Sequence, residues 1–123
     1  MTQGQKDLLL KDLCARLPYG VRAEILNQED TRREVVVSYG NICYIPEIGK
    51  GWWKECKPYL FPLSSMTEEQ KKEYANLLVY TSSVERIQIT GESTYDWLNK
   101  NMFDWRGLIS MGLAEDATGL NIY

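Results

Sequence analysis

Val21-Arg22-Ala23-Glu24-Ile25, the polar run Asn27-Gln28-Glu29-Asp30, and Glu34-Val35-Val36-Val37-Ser38-Tyr39 together form the stretch on which the fold turns. Val21, Ala23 and Ile25 alternate with Arg22 and Glu24, the period-two pattern of a strand with one buried face. Asn27 to Asp30 supplies turn chemistry, because short polar side chains bond nearby backbone and tolerate left-handed geometry. The β-branched run centred on Val35-Val36-Val37 then returns as a second strand. Strands joined this closely run antiparallel, since a parallel pair needs a crossover of roughly a dozen residues. After Gly40-Asn41, Ile42 to Ile45 reads as a third short strand, ended at Pro46.

Helical patterns flank this meander. Over residues 5–17, Leu10, Leu13, Cys14 and Leu17 recur at helical spacing, leaving Lys6, Asp7, Lys11, Asp12 and Arg16 for water. Pro18 and Gly20 stop that helix. Thr67-Glu68-Glu69-Gln70 has the form of a capping box, and it predicts a helix running to Leu78 or Tyr80 that buries Tyr74, Leu77 and Leu78. A third helix starts at Ser93 or Thr94, carries Trp97 and Leu98 inward and ends near Asn101. Asp104 is placed to cap a short fourth helix holding Leu108, Ile109 and Leu113, its rival role being a buried partner for Arg106 or for a ligand. Ile87 and Ile89 suggest a strand over 86–90. The segment 46–66 is irregular, with a strand predicted only at Tyr59 to Phe61, and the tail from Ala114 shows no period. The class predicted is α+β: an N-terminal helix, a short antiparallel β-meander, then helices packed on one face of the sheet.

Length and composition set the bounds. A chain of 123 residues is expected to form a single globular domain over 1–123 with a self-sufficient core. The net charge of −3 argues against nucleic acid, because phosphate binders gain affinity by releasing counterions to a basic surface. No apolar run approaches the roughly 18 residues of a membrane span. The polar start, Met1-Thr2-Gln3-Gly4-Gln5, lacks the pattern of a signal peptide and reads as an intact gene product. Cys14, Cys43 and Cys56 are odd in number and widely spaced, which predicts reduced thiols and a cytoplasmic protein.

Catalytic constellations are hard to assemble from these residues. The chain has no histidine, which removes Ser-His and Cys-His activation and most zinc catalytic sites. Gly49-Lys50-Gly51 lacks the remaining residues of a phosphate loop and reads as a turn. No catalytic, cofactor-binding or metal-binding residue is therefore assigned, and no cofactor is expected. A carboxylate-based, metal-dependent enzyme stays as an alternative; it requires at least three of Glu85, Asp96, Asp104, Glu115 and Asp116 to converge.

The strongest surface feature is Gly51-Trp52-Trp53-Lys54-Glu55-Cys56-Lys57-Pro58-Tyr59, where aromatics interleave with Lys50, Lys54 and Lys57. Lys50, Trp52, Trp53, Lys54, Lys57 and Tyr59 are the candidate partner contacts. They could form a stacking and charged surface for an acidic protein or, as a weaker alternative, a nucleotide or single strand. Closure of the sheet edge explains the same aromatics, just as helix packing explains Trp97, Phe103 and Trp105.

Two strings are distinctive. One is Lys57-Pro58-Tyr59-Leu60-Phe61-Pro62-Leu63-Ser64-Ser65-Met66-Thr67-Glu68-Glu69. The other joins Asp96-Trp97-Leu98-Asn99, Phe103-Asp104-Trp105-Arg106-Gly107-Leu108-Ile109 and Gly112-Leu113-Ala114, with the chain closing on Tyr123. Together they resemble a group of small uncharacterised proteins common in Bacteroides-type gut bacteria and their prophages or phages, over roughly the C-terminal two-thirds of the chain. Members of that group carry arginine where this chain has Phe61, and histidines where it has Asn101 and Met102. Those departures put a histidine-based role in doubt. The resemblance implies no activity; it implies an accessory protein of a mobile element. A non-enzymatic protein-interaction module is the function expected, with another protein as partner, no membrane, and a homodimer as an open alternative.

Overall fold

The computed structural model describes residues 2–42, 53–80 and 94–123. It is an α+β structure in which an N-terminal helix and later helices pack with a four-stranded mixed sheet. Helix α1 (Gln3–Arg16) opens with a capping box: Thr2 Oγ1 accepts from Gln5 N at 3.1 Å, and Gln5 Oε1 accepts from Thr2 N at 2.9 Å. A 3-10 turn, Leu17–Tyr19, follows, and Gly20 ends it in left-handed geometry at φ 75°.

Strands β1 (Arg22–Asn27) and β2 (Arg32–Val36) form the expected antiparallel hairpin, with Glu24 opposite Glu34 and Ala23 opposite Val35. Asn27 organises the tip. Its side-chain oxygen accepts from Glu29 N and Thr31 N at 2.9 and 3.0 Å, while Asp30 takes φ 61°.

The third strand lies elsewhere than the pattern suggested. Tyr39–Ile42 is a single helical turn, α2, so the expected strand does not begin at Ile42; the rest of it, Cys43 to Ile45, falls outside the described residues. The strand that pairs with the free side of β1 is β3 (Trp53–Leu60), antiparallel, with Ile25 opposite Cys56 and Ala23 opposite Pro58. Proline ordinarily demotes a strand assignment because it cannot donate to the ladder. Here β3 tolerates it one residue before its outer neighbour begins, since β4 (Glu115–Asp116) pairs in parallel only with Tyr59 and Leu60. The sheet order is β2-β1-β3-β4, so the C-terminal tail, aperiodic in sequence, supplies an edge. The proposed 86–90 strand lies outside the described residues.

Helix α3 (Glu68–Tyr80) begins where the capping box placed it: Gln70 N donates to Thr67 Oγ1 at 3.2 Å and Thr67 N to Gln70 Oε1 at 2.9 Å. Helix α4 (Thr94–Lys100) buries Trp97 and Leu98 as expected. The fourth helix does not form. Gly107 and Gly112 both adopt left-handed backbone, at φ 77° and 74°, and they leave only a turn between them. Asp104 still acts as a cap, accepting from Leu108 N and Ile109 N at 2.8 and 2.9 Å.

Two apolar clusters fill the interior. Leu9 and Leu13 of α1 pack with Ala23, Ile25, Cys56 and Leu60 of the sheet and with Val21 and Val37 that flank the hairpin. Met66, Leu77, Trp97, Leu98 and Phe103 form the second cluster, and Phe61 touches both. The buried face of α1 is rotated from the one anticipated. It carries Leu9, Asp12, Leu13 and Arg16, whereas Cys14 is exposed. Asp12 and Arg16 were expected in water and are fully buried, because they neutralise each other four residues apart.

Candidate functional site

Of the six candidate contacts in the Lys-Trp stretch, Lys54, Lys57 and Tyr59 have described side chains. Lys50 and Trp52 lie outside the described residues, and Trp53 is placed only by its backbone, opposite Asn27. Lys54 is exposed but paired with Asp30 at 2.6 Å, and Lys57 lies 3.9 Å from Glu115. Tyr59 is buried, its hydroxyl donating to Glu24 Oε2 at 3.0 Å. Lys57 and Tyr59 belong to a charged sheet face on which Arg22 meets Glu34 at 2.7 Å and Arg32 meets Glu24 at 2.6 Å. Both pairs run diagonally between β1 and β2, flanking the directly opposed Glu24 and Glu34, and such exposed pairs stabilise a sheet modestly.

A different group of aromatics is assembled for contact. Tyr95 and Asn99 stand four residues apart on α4, and so share one face. Met102, at φ 60°, reverses the chain, with Phe103 N bonded to Leu98 O at 2.9 Å and Met102 N to Asn99 O at 3.1 Å. The return path carries Trp105 back along α4, where its Nε1 donates to buried Asn99 Oδ1 at 2.9 Å. The Tyr95 ring lies 4.6 Å from the Trp105 ring, and the Arg106 guanidinium carbon sits 4.0 Å from the Trp105 ring centre. Tyr95 remains 59% exposed.

Beneath this stack runs a buried ionic cluster. Arg106 Nε donates to Asp12 Oδ1 at 3.3 Å; Arg16 reaches both oxygens of Asp12, from Nε at 2.9 Å and from an η nitrogen at 3.2 Å. The same η nitrogen donates to Phe103 O at 2.6 Å, while Arg16 Nη1 is buried with no hydrogen-bond partner among the described residues. Arg106 therefore takes Asp12 as its partner, and Asp104 serves the backbone instead. Trp105 is thus anchored by buried Asn99 and Arg106 by buried Asp12, while the exposed Tyr95 ring leans on Trp105. Sequence reasoning assigned Trp105 to helix packing and did not single out Tyr95. The available signal was Asp12 and Arg16 standing at ion-pair spacing on the face of α1 beside Leu9 and Leu13.

Three acidic groups are held neutral. Burial pushes the Cys56 thiol up to about 12; burial, then the bond to Glu24, pushes the Tyr59 hydroxyl up to about 12; burial does the same to Tyr123. Each pKa is raised in the folded chain, so the stability these groups contribute is complete below their ordinary values of 9.0 and 10.0. That contribution is lost as pH climbs towards about 12, and urea unfolding midpoints are expected to fall across this window. The Glu24 carboxyl shifts the other way, held below its usual range chiefly by Arg32 and also by Tyr59. Its contribution is present above the ordinary carboxylate range and is lost as pH falls through the lowered value. Alkylation offers a second readout: at pH 8 Cys56 should react at least about 100-fold more slowly than exposed Cys14, as followed by peptide mass spectrometry.

The carboxylates do not converge among the described residues. Asp104 caps a turn, Glu115 faces Lys57 and Asp116 accepts from Thr118 N, whereas Glu85 lies outside the described part. No group of three or more His, Cys, Asp or Glu side chains that could hold a metal ion occurs among the described residues. No described helix is long and apolar enough to cross a membrane. No family model, curated protein or solved structure matches the chain.

Proposed function

We propose that this chain is a non-enzymatic protein-interaction module whose contact surface is the stack of Tyr95, Trp105 and Arg106. The observation that carries the reading is an anchored support: Asn99 holds Trp105 and Asp12 holds Arg106, itself only 10% exposed beside the Trp105 ring, so the base on which Tyr95 leans is ordered before any partner arrives. Tyr, Trp and Arg are the residue types that dominate binding hot spots, and a pre-ordered patch avoids much of the entropy lost on association. Together with the resemblance of its C-terminal strings, this supports an accessory protein of a mobile element working in the cytoplasm. The unpaired thiols Cys14 and Cys56 suit that compartment.

Site-specific photocrosslinking in the native cell tests the reading. A crosslinker at position 95 should give a discrete adduct with one protein, and the same group at exposed Lys72 of α3 should not. Identical adduct patterns at both positions, or none at position 95, would refute it.

A further inference from the structure

We infer that a second site, sharing no residue with the Tyr95 stack, takes a small neutral hydroxyl-rich ring such as a single pyranose. Five chain segments meet around a half-open cavity of about 260 Å³: the end of β3 at Phe61, the 3-10 turn Leu63–Ser65, the start of α3, the end of α4, and the tail at Thr118 and Gly119. Pockets for drug-sized ligands run to about 300–1,000 Å³, so this one suits a single substituted ring. Its wall holds two aromatic residues, two carboxamides, three hydroxyls and one glycine. Among the described residues no ionisable side chain lines it, in a chain where a quarter of the residues are charged.

The hydrogen bonds already made decide which atoms remain for a ligand. Thr67 Oγ1 and Gln70 Oε1 are consumed by the capping box of α3, so the helix start offers no anion site here. Ser65 Oγ donates to Pro62 O, and the Thr118 hydroxyl bonds Asp116. Asn101 donates its Nδ2 to Trp97 O at 2.9 Å, which fixes the orientation of that amide and leaves Oδ1 as an acceptor. The capping bond fixes Gln70 in the same way and leaves Nε2 as a donor. Gln70 and Asn101, in the wall of a space bounded by Phe61 and Phe103, thus each keep one amide atom with no hydrogen bond among the described residues, a donor and an acceptor. A charged ligand would be desolvated there without a counter-charge, and a purely apolar one would leave both amides unpaired. A neutral ring with adjacent hydroxyls satisfies both amides and lays its C–H face on the Phe61 ring.

The test is a titration of the 15N-labelled full chain by two-dimensional NMR, watching the side-chain amides of Gln70 and Asn101. Methyl β-glucopyranoside, methyl β-galactopyranoside and N-acetylglucosamine are the neutral probes; glucuronate, glucose 6-phosphate and phenol are the controls. At least one neutral probe should shift both amides saturably by about 50 mM, as a millimolar site requires, and bind at least about tenfold tighter than every control. Asn101→Leu and Gln70→Met should each weaken binding by about tenfold. Should either variant fail to fold, the shift map of the unmodified chain decides alone. No shift with any neutral probe, shifts elsewhere only, or equal affinity for phenol or the charged sugars would overturn the inference.

Discussion

Asp12→Ala is expected to lower the unfolding free energy by about 3–5 kcal/mol. Asp12 is fully buried and is the carboxylate bound by both Arg16 and Arg106. Removing it leaves the fully buried guanidinium of Arg16 without a charge partner, with one of its nitrogens already unbonded. The penalty is that of an uncompensated buried charge, which exceeds the net worth of the pair itself. Paired substitution separates the two: Asp12→Leu with Arg16→Met removes both charges and should cost less than Asp12→Ala alone. Urea unfolding at neutral pH reads both outcomes. A loss below about 1 kcal/mol for Asp12→Ala would place the cluster among exposed ion pairs and contradict its burial. The same variant also releases Arg106 from below Trp105, so Tyr95 crosslinking should weaken even under conditions where the chain stays folded.

Asp104→Ala should cost about 2–3 kcal/mol, because it orphans the backbone N–H groups of Leu108 and Ile109. Both residues pack in or against the main apolar cluster, where water cannot readily replace the lost acceptor. Asp104→Asn retains one acceptor oxygen and should recover about half of the loss. Equal destabilisation by the two variants would mean that the carboxylate acts through charge and not as a cap. Either result is read from the shift in urea midpoint at unchanged slope.

Local elements were legible because their partners lie close in sequence. The β1–β2 hairpin follows from the alternation at Val21 to Ile25 and from Asn27, which bonds residues two and four positions on. The start of α3 follows from Thr67 and Gln70, three residues apart. Where a local signal met a competing local rule it misled. Pro58 hid β3 by its missing N–H, and Asp104 announced a helix that the left-handed Gly107 does not permit. In the Lys-Trp stretch, which was conspicuous as a string, Lys54 pairs with Asp30 at the hairpin tip, and Lys57 and Tyr59 meet Glu115 and Glu24 on the sheet.

The amino-acid sequence by itself determined the α+β class, the hairpin, the helix caps and the stop at Gly20, each set by dihedral preference and hydrogen bonds within a few residues. Only the tertiary structure decided what is buried and what is presented. Arg16 is covered by a carbonyl 87 residues away, Asp12 meets Arg106 across 94, and the Tyr123 hydroxyl accepts from Arg22 N across 101. Such contacts depend on how several elements close together, and no periodicity encodes them. That is why two charges predicted for water form the buried anchor of an aromatic surface.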